Sequence, residues 1–297
     1  MPRLVVEENN LLYMRDASGQ ADAVTVPIRV NTNFTWTNLS ATDSDTGSLM
    51  PLTQMSASTF QKFTPVLYTA GFFVHDVVDL LVDQHNFNMF VEEGAISTAR
   101  YIDQTAIDSA LCRKDADIAK DGVTVFTAGG MGTGSVSTAS TLTPSDLIDA
   151  STYLSVGSDI YPPDAIVMHP NQYAQLIKHQ DLSNNANANM AMHATWRDGE
   201  LVRFFGMDIY VSELVNSGAD LASQTQGFYS LAAVGDKGHP VAVFSKDKSG
   251  ALITKNAAFA VHTVDDRLRH GKIRIFDIMF VAGILVNNSI VIIRAAD

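Results

Sequence analysis

The chain has 297 residues, of which 46% are hydrophobic and 18% charged, so its composition is that of a folded protein and excludes a disordered chain. Its net charge of −12 argues against a protein that coats nucleic acid, because such binding depends on Lys and Arg. The acidity is uneven: acidic residues outnumber basic ones 20 to 7 over 76–235, whereas 236–297 carries 9 basic and 6 acidic residues. A single cysteine excludes an intrachain disulfide framework.

The first part of the chain predicts an arm followed by a long hairpin. Residues 1–23 are polar and mixed, so we expect an arm with little core of its own. A period of two over 24–36 then predicts an extended strand with one apolar face. Pro27 lacks an N–H and favours a sheet edge. The apolar face comprises Val24, Val26, Ile28, Val30, Phe34 and Trp36.

A turn and a returning strand complete this predicted hairpin. Turn-forming residues occupy 40–48, and the chain then returns over 52–68. An isolated two-stranded hairpin is not stable in water. We therefore expect its apolar face to pack on a neighbouring subunit.

Helices and strands alternate irregularly after the hairpin. A short amphipathic helix is predicted over 72–83, and apolar residues three and four apart predict a longer helix over 86–113. A strand is expected at 123–126. Thr143, Pro144 and Asp146 are the residue types that favour a helix start.

The second half of the chain contributes mainly strands. The apolar strand Ala165–Met168 is followed by a helix from Pro170 to about His179, and residues 181–199 are expected to form a surface loop. The mixed order without βαβ repetition favours an α+β fold. Further strands are predicted at 207–211, 228–234, 241–244, 272–280 and 284–293.

No motif in the chain predicts an active site. The glycine-rich segment 128–135 lacks the Lys-Ser/Thr of a P-loop and is interpreted as a flexible loop. His75, Asp79 and Asp83 could bind a metal from one helix face, but a solvated polar face is the preferred interpretation. Cys112 is interpreted as a buried thiol and not as a nucleophile. We therefore predict no catalytic, cofactor-binding or metal-binding residue.

A basic cluster lies near the C-terminal end. A turn at Gly271 between two strands would place alternate cationic residues on shared faces. The cluster is either a solvated edge that pairs with acidic segments, or a contact with phosphate or with an acidic neighbouring subunit. Its members are Arg267, Arg269, His270, Lys272 and Arg274.

The order of these elements resembles the major capsid proteins of tailed double-stranded DNA viruses, which have the Hong Kong 97-type fold. The hairpin over 24–66 is similar to the extended loop of that family, and segment 62–68 leads into the short helix at 73–82. The long helix 87–113 is similar to the family's spine helix.

The second half of the chain carries the rest of this resemblance. Segment 164–176 resembles the strand-then-helix signature of the axial domain, and the glycine-led strand 205–212 follows it. Gly235 and Asp236, followed by the late Arg-containing strand, complete the order.

The resemblance implies a domain organisation and residues for subunit contacts. The contact candidates are the apolar hairpin residues, together with Arg267, Arg269, Lys272 and Arg274. The implied segments are an N-terminal arm (1–23), an extended hairpin loop (24–66), a peripheral domain with the spine helix (67–143), an axial domain (144–260) and C-terminal strands returning to the peripheral domain (261–297).

The resemblance also implies a structural function without catalysis. Copies of the chain would form pentamers and hexamers of an icosahedral virion capsid, assembled in the host cytoplasm without a membrane. The shell would enclose double-stranded DNA without sequence-specific binding, with scaffolding, portal and decoration proteins as separate partners. Lys62 is the only lysine over 24–66 and is predicted near the hairpin base, so we expect non-covalent assembly.

Two other functions remain open from the sequence. An encapsulin-like cellular compartment would share the fold and differ in its contents. A soluble enzyme, less favoured, would use the acidic residues over 76–83 and would form a small oligomer.

Overall fold

A computed structural model shows a mixed fold of several sheets and few helices. It describes residues 9–17, 23–28, 59–75, 84–111, 124–127, 141–156, 161–179, 194–197, 200–215, 239–246, 248–266 and 270–295. The helices among them are α1 (Gln84–Ala106), α2 (Pro144–Ser155) and α3 (Pro170–Lys178), with a π-helical turn at Ile107–Leu111 and a 3-10 turn at Asn287–Ser289.

Thirteen strands occur in the described residues and form three sheets. They are β1 (Tyr13–Asp16), β2 (Val24–Ile28), β3 (Thr59–Phe63), β4 (Val66–His75), β5 (Thr124–Thr127), β6 (Ala165–Met168), β7 (Ala194–Arg197), β8 (Glu200–Phe204), β9 (Met207–Val211), β10 (Pro240–Phe244), β11 (Gly250–Asp266), β12 (Gly271–Ile284) and β13 (Ile290–Arg294).

The four-stranded sheet has the order β1-β11-β12-β4 and is built around a long hairpin. β11 and β12 pair antiparallel along 17 and 14 residues, with a register shift between Lys255 and Ala260. β4 pairs antiparallel with β12 at one edge, and β1 pairs parallel with β11 at the other.

Helix α1 covers one face of this sheet through aromatic contacts. The Tyr68 ring centroid lies 5.3 Å from that of Tyr101 on α1 and 4.8 Å from that of Phe280 on β12. Gly94 lies so close to Phe276 that an added Cβ would be 2.6 Å from the ring, so a side chain larger than hydrogen would displace the ring. The following π-helical turn enters the core with Ile107 buried.

The seven-stranded sheet has the order β5-β13-β10-β6-β9-β8-β7 and is covered by α2 and α3. Its strand β13 lies between β5 and β10, parallel to the first and antiparallel to the second. Ile166 and Met168 of β6 point into the core beneath the two helices, whereas Val167 belongs to the core shared with the other sheet.

The two sheets share one hydrophobic core. It contains Val167 and Phe244 of the seven-stranded sheet together with Leu252 and Phe280 of the four-stranded sheet. The chain crosses between the sheets at 245–249 and again at 285–289, and backbone hydrogen bonds join the two crossings. These bonds run from Ser245 N–H to Ser289 O and from Leu285 N–H to Ser249 O.

Several predicted elements are confirmed. Helix α1 begins at Gln84 and matches the predicted long helix, and β6, β9 and the start of α3 lie where the sequence placed them. Helix α2 begins at Pro144 as predicted, because Asp146 accepts a hydrogen bond from the Thr143 backbone N–H at 2.9 Å.

Other predicted elements are wrong. Residues 72–75 are the end of β4 and not a helix, because pairing with β12 satisfies their backbone groups. Strand β7 occupies 194–197 inside the predicted loop 181–199. The predicted strand 284–293 is interrupted by the 3-10 turn where the chain changes sheets. The predicted strand at 228–234 and the loop at 128–135 lie outside the described residues.

The described part of the N-terminal segment, residues 9–17, packs within the fold and not as a separate arm. Leu11 and Leu12 are each only 1% exposed and belong to the shared core, and β1 is a strand of the four-stranded sheet. The predicted boundary between 260 and 261 falls inside β11. Moreover, β13 joins the seven-stranded sheet, away from β4, so the last described strand does not return to the sheet that α1 covers.

Candidate assembly surfaces

The base of the predicted hairpin is present as the two-stranded sheet of β2 and β3. The two strands pair antiparallel, with Val24 opposite Phe63 and Pro27 opposite Phe60. Because this sheet has two strands among the described residues, Pro27 lies on an edge strand there, which suits its missing N–H. Lys62 is exposed and lies opposite Thr25, near the base of the hairpin.

The predicted subunit-contact residues at the hairpin base are buried in their own chain. Val24 is 1% exposed and Val26 is 4% exposed, and they cluster with Phe63, Ala251 and Ile253. This corrects the expectation that both await a partner: the four-stranded sheet already covers them. Ile28 ends β2, and three further candidates, Val30, Phe34 and Trp36, lie outside the described residues.

The sheet face that packs on the hairpin base continues into an apolar region that no other described residue covers, and we call this region the open sheet face. Residues opposite each other in register share a face of a sheet. Leu67 lies opposite Met279, and Phe73 lies opposite Ile273, which in turn lies opposite Val264. The open sheet face therefore comprises Leu67, Phe73, Val264, Ile273, Ile275 and Met279.

Several large apolar side chains of the open sheet face are highly exposed. Leu67 is 54% exposed, Val264 47% and Phe73 41%. A polar pair interrupts the face, because His262 Nε2 lies 3.5 Å from Asp277 Oδ2. The exposed apolar side chains therefore form two patches, one on each side of this pair, and grouped apolar side chains of this size often mark an interaction site.

The opposite face of the same sheet holds a small cleft beside α1. The cleft has a volume of about 270 Å³ and is lined by Tyr68, Ser97, Tyr101 and Phe276, among others. Ligand pockets typically have about 300–1,000 Å³, so this cleft is small for a ligand pocket. Burial, followed by the proximity of Tyr101, raises the pKa of Tyr68 above its usual value, so the phenol stays neutral.

The basic cluster is only partly within the described residues. Lys272 and Arg274 lie on β12 and share the face that α1 covers, as predicted. Lys272 lies opposite Asp265 of β11, an arrangement of opposite charges that stabilises a strand pair. His270 is exposed in the turn with φ of 49°. The other two candidates, Arg267 and Arg269, lie outside the described residues.

A charged cluster that the sequence did not reveal lies where β10 leads into β11. Lys246 Nζ donates hydrogen bonds to Asp208 Oδ2 and to Tyr210 Oη, each at 2.8 Å. The Lys246 backbone N–H donates to Asp164 Oδ1 at 2.7 Å, and Arg203 Nε donates to Asp208 Oδ1 at 2.8 Å. These contacts attach the crossing at 245–249 to β6, β8 and β9.

The contacts in this cluster stabilise the ionised carboxylate of Asp208 and the protonated ammonium group of Lys246. Burial opposes ionisation of Asp208, but hydrogen bonds from Lys246 and Arg203 lower the pKa of Asp208 below its usual value of 3.8. Burial likewise opposes protonation of Lys246, but its hydrogen bonds to Asp208 and Tyr210 raise the pKa of Lys246 above 10.5. Neither group titrates near neutral pH, so the cluster acts as a structural clamp.

The remaining sequence candidates do not form a site in the described residues. His75 lies at the end of strand β4, which corrects its predicted helical position, and Asp79, Asp83 and Cys112 lie outside the described residues. The described residues contain no group of three metal-ligating side chains. None of their helices has the length and hydropathy needed to cross a membrane.

The fold is that of phage capsid proteins, so the chain resembles the major capsid proteins of tailed double-stranded DNA viruses, as predicted. The capsid of cyanophage P-SCSP1u is similar with a TM-score of 0.63 and 14% identity, covering 98% of this chain and 88% of that one. A native GTA particle capsid is similar with a TM-score of 0.62 and 13% identity, covering 100% and 92%.

An encapsulin has the same fold. The holo-SrpI encapsulin complex from Synechococcus elongatus PCC 7942 is similar with a TM-score of 0.54 and 9% identity, covering 100% of this chain and 88% of that one. At these identities the similarity establishes the fold. No protein-family model matches the sequence, and no curated protein matches it.

Proposed function

We propose that the chain is a shell-forming structural protein that assembles into an icosahedral viral capsid enclosing double-stranded DNA. The observation that carries the proposal is the similarity to capsid chains along nearly the entire length of both proteins. Pentamers and hexamers of the chain would close the shell, with scaffolding, portal and decoration proteins as separate partners. A closed symmetric assembly satisfies repeated contact surfaces without forming fibres.

The described residues supply a physical reason for assembly. The open sheet face leaves large apolar side chains in water, and fully burying one such side chain contributes about 1.5–3 kcal/mol. The hairpin base already covers the adjoining part of the same face, around Ala251 and Ile253. We propose that a second copy of the chain covers the remainder. The distal hairpin residues and the basic cluster remain proposed contacts.

The domain assignment is part of the proposal. The four-stranded sheet with α1 corresponds to the proposed peripheral domain, and α1 to its spine helix. The seven-stranded sheet with α2 and α3 corresponds to the proposed axial domain. In this assignment β11, β12 and β1 belong to the peripheral unit, whereas β13 belongs to the axial unit.

The encapsulin similarity favours a second candidate function, a cellular protein compartment. The contents of the shell distinguish the two functions. Particles recovered from the producing host should protect double-stranded DNA from nuclease if the shell is a capsid. Particles that instead hold a protein cargo and no protected DNA would support the compartment and contradict the capsid.

Assembly itself is tested with the full chain expressed alone. Light scattering and negative-stain electron microscopy should show closed particles of megadalton mass. A small discrete oligomer at every concentration, both without and with a co-expressed scaffolding protein, would contradict a shell protein and favour the enzyme hypothesis. Denaturing electrophoresis of the particles should show a single monomer band, since Lys62 lies near the hairpin base; a ladder of covalent multimers would contradict non-covalent assembly.

A further inference from the structure

Two histidine rings are stacked where helix α3 meets strand β10. The ring centroids of His169 and His239 are 3.6 Å apart and the rings are inclined by only 5°. His169 directly precedes α3, and His239 directly precedes β10. Both side chains are half-buried. The stack therefore joins two segments that the antiparallel pairing of β6 and β10 brings side by side.

His169 also caps the helix in a form that requires an unprotonated nitrogen. Its Nδ1 accepts a hydrogen bond from the Asn171 backbone N–H at 3.2 Å. An imidazolium has a proton on both ring nitrogens and cannot accept this bond. Its positive charge would also lie at the positive end of the helix dipole.

Protonation of both rings adds a third cost. Two imidazolium ions at 3.6 Å would repel each other, whereas two neutral rings stack favourably. The first two effects concern His169 alone, and the repulsion adds to them when both rings are charged. Histidine is the side chain that ordinarily changes charge between pH 5 and 8.

Among the described residues, the other charged groups on the elements next to the stack do not reproduce this pH dependence. On β13, Arg294 lies opposite Pro240, and Glu213 lies two residues after Val211, which is opposite Met168 on β6. Guanidinium and carboxylate groups ordinarily keep their charge between pH 5 and 8. Within α3, the charged residue is Lys178 in the last turn. His179 follows it at the C-cap, at the opposite end of the helix from the stack.

We propose that the stacked pair of His169 and His239 is a pH-sensitive latch that holds the start of α3 against the start of β10 at neutral pH and loosens on acidification. The latch is a property of the folded chain and does not depend on the proposed function. Its loosening frees the helix cap first, because that hydrogen bond is lost when His169 gains a proton at Nδ1.

Hydrogen–deuterium exchange of the full chain tests this latch. Exchange is measured at pH 7.5 and 5.5 and corrected for the intrinsic effect of pH on amide exchange. Protection of residues 171–178 should fall about five- to tenfold at the lower pH, given the cost of losing a cap and of opposing a helix dipole. Helix α2 is the internal reference, because Asp146 and not a histidine accepts the cap hydrogen bond there.

Substitutions at the stack decide whether the histidines cause the effect. His169→Asn keeps a favourable cap that does not titrate, so its α3 protection should change less than twofold between the two pH values. His169→Ser serves the same purpose if the Asn variant does not fold. His239→Phe keeps a stacked ring without a second charge and should reduce the wild-type change. The proposal is wrong if α3 and α2 respond equally in the wild type, or if the His169 variants keep the full response.

Discussion

Two valines of β11 provide a matched test of the open sheet face. Val264 and Val261 are 47% and 40% exposed and lie three residues apart, so they point to opposite faces of the strand. Val264 lies opposite Ile273 on the open sheet face, whereas Val261 lies opposite Phe276 on the face that α1 covers. Val264→Thr and Val261→Thr keep the β-branched shape and change only the polarity.

The size of the effect follows from the exposure of Val264. Burying a hydroxyl without a partner costs about 1–3 kcal/mol in protein mutational data. Because 47% of the side chain is exposed before assembly, about half of this cost, roughly 0.5–1.5 kcal/mol per subunit, arises only when a second copy covers it. The critical concentration for assembly should therefore rise about two- to tenfold.

The assay is light scattering over a dilution series of the wild type and both variants. Chemical denaturation of each chain below its critical concentration checks that the two substitutions affect folding equally. Val264→Thr should raise the critical concentration, and Val261→Thr should leave it close to the wild-type value. Equal shifts for both variants, or no shift for Val264→Thr, would refute the assignment of the open sheet face as a subunit contact.

Three further predictions concern folding stability, each measured by chemical denaturation of the full chain. Lys246→Met should lower the free energy of unfolding by about 2–4 kcal/mol, because it removes hydrogen bonds to charged and polar groups that remain partly buried; a loss below about 0.5 kcal/mol would contradict the clamp. The wild type should have a higher free energy of unfolding than Asp208→Asn at neutral pH, and this difference should disappear as the pH falls below about 3.8. The reason is that a carboxylate with a lowered pKa stabilises the fold only while it is ionised. A difference that is constant down to about pH 2 would be inconsistent with this. Gly250→Ala should lower the free energy of unfolding by about 1–3 kcal/mol, since the new Cβ would lie 2.7 Å from both Leu12 and Ala110. Unchanged stability would show that the packing around Gly250 can relax.

Short segments with strong local signals could be predicted from the sequence. The strand Ala165–Met168 is apolar throughout because both of its faces are buried, and Pro170 fixes the start of the helix that follows. Thr143 and Asp146 fix the start of α2 in the same local way. These signals succeed because neighbouring residues supply both partners of the interaction.

Elements that depend on distant partners could not be predicted. In β11 the register shift between Lys255 and Ala260 moves the inward-facing residues from one parity to the other, so no single period of two extends along the strand. Residues 72–75 fit a helical spacing, but pairing with β12 determines their structure. The clamp at Lys246 joins Asp164 and Asp208. These residues lie far apart in the chain, so no spacing pattern in the sequence indicates that they meet.

The position of β13 has a consequence for the order of folding. Residues 290–294 lie between β5 and β10, so an early segment at 124–127 obtains its strand partner only from residues made much later. Pairings between such distant segments close large loops and form slowly. The seven-stranded sheet therefore cannot be completed on a nascent chain that lacks residues 290–294. Because Ile290 and Ile292 of β13 also belong to the core shared by the two sheets, that core too is completed only after synthesis has passed this strand.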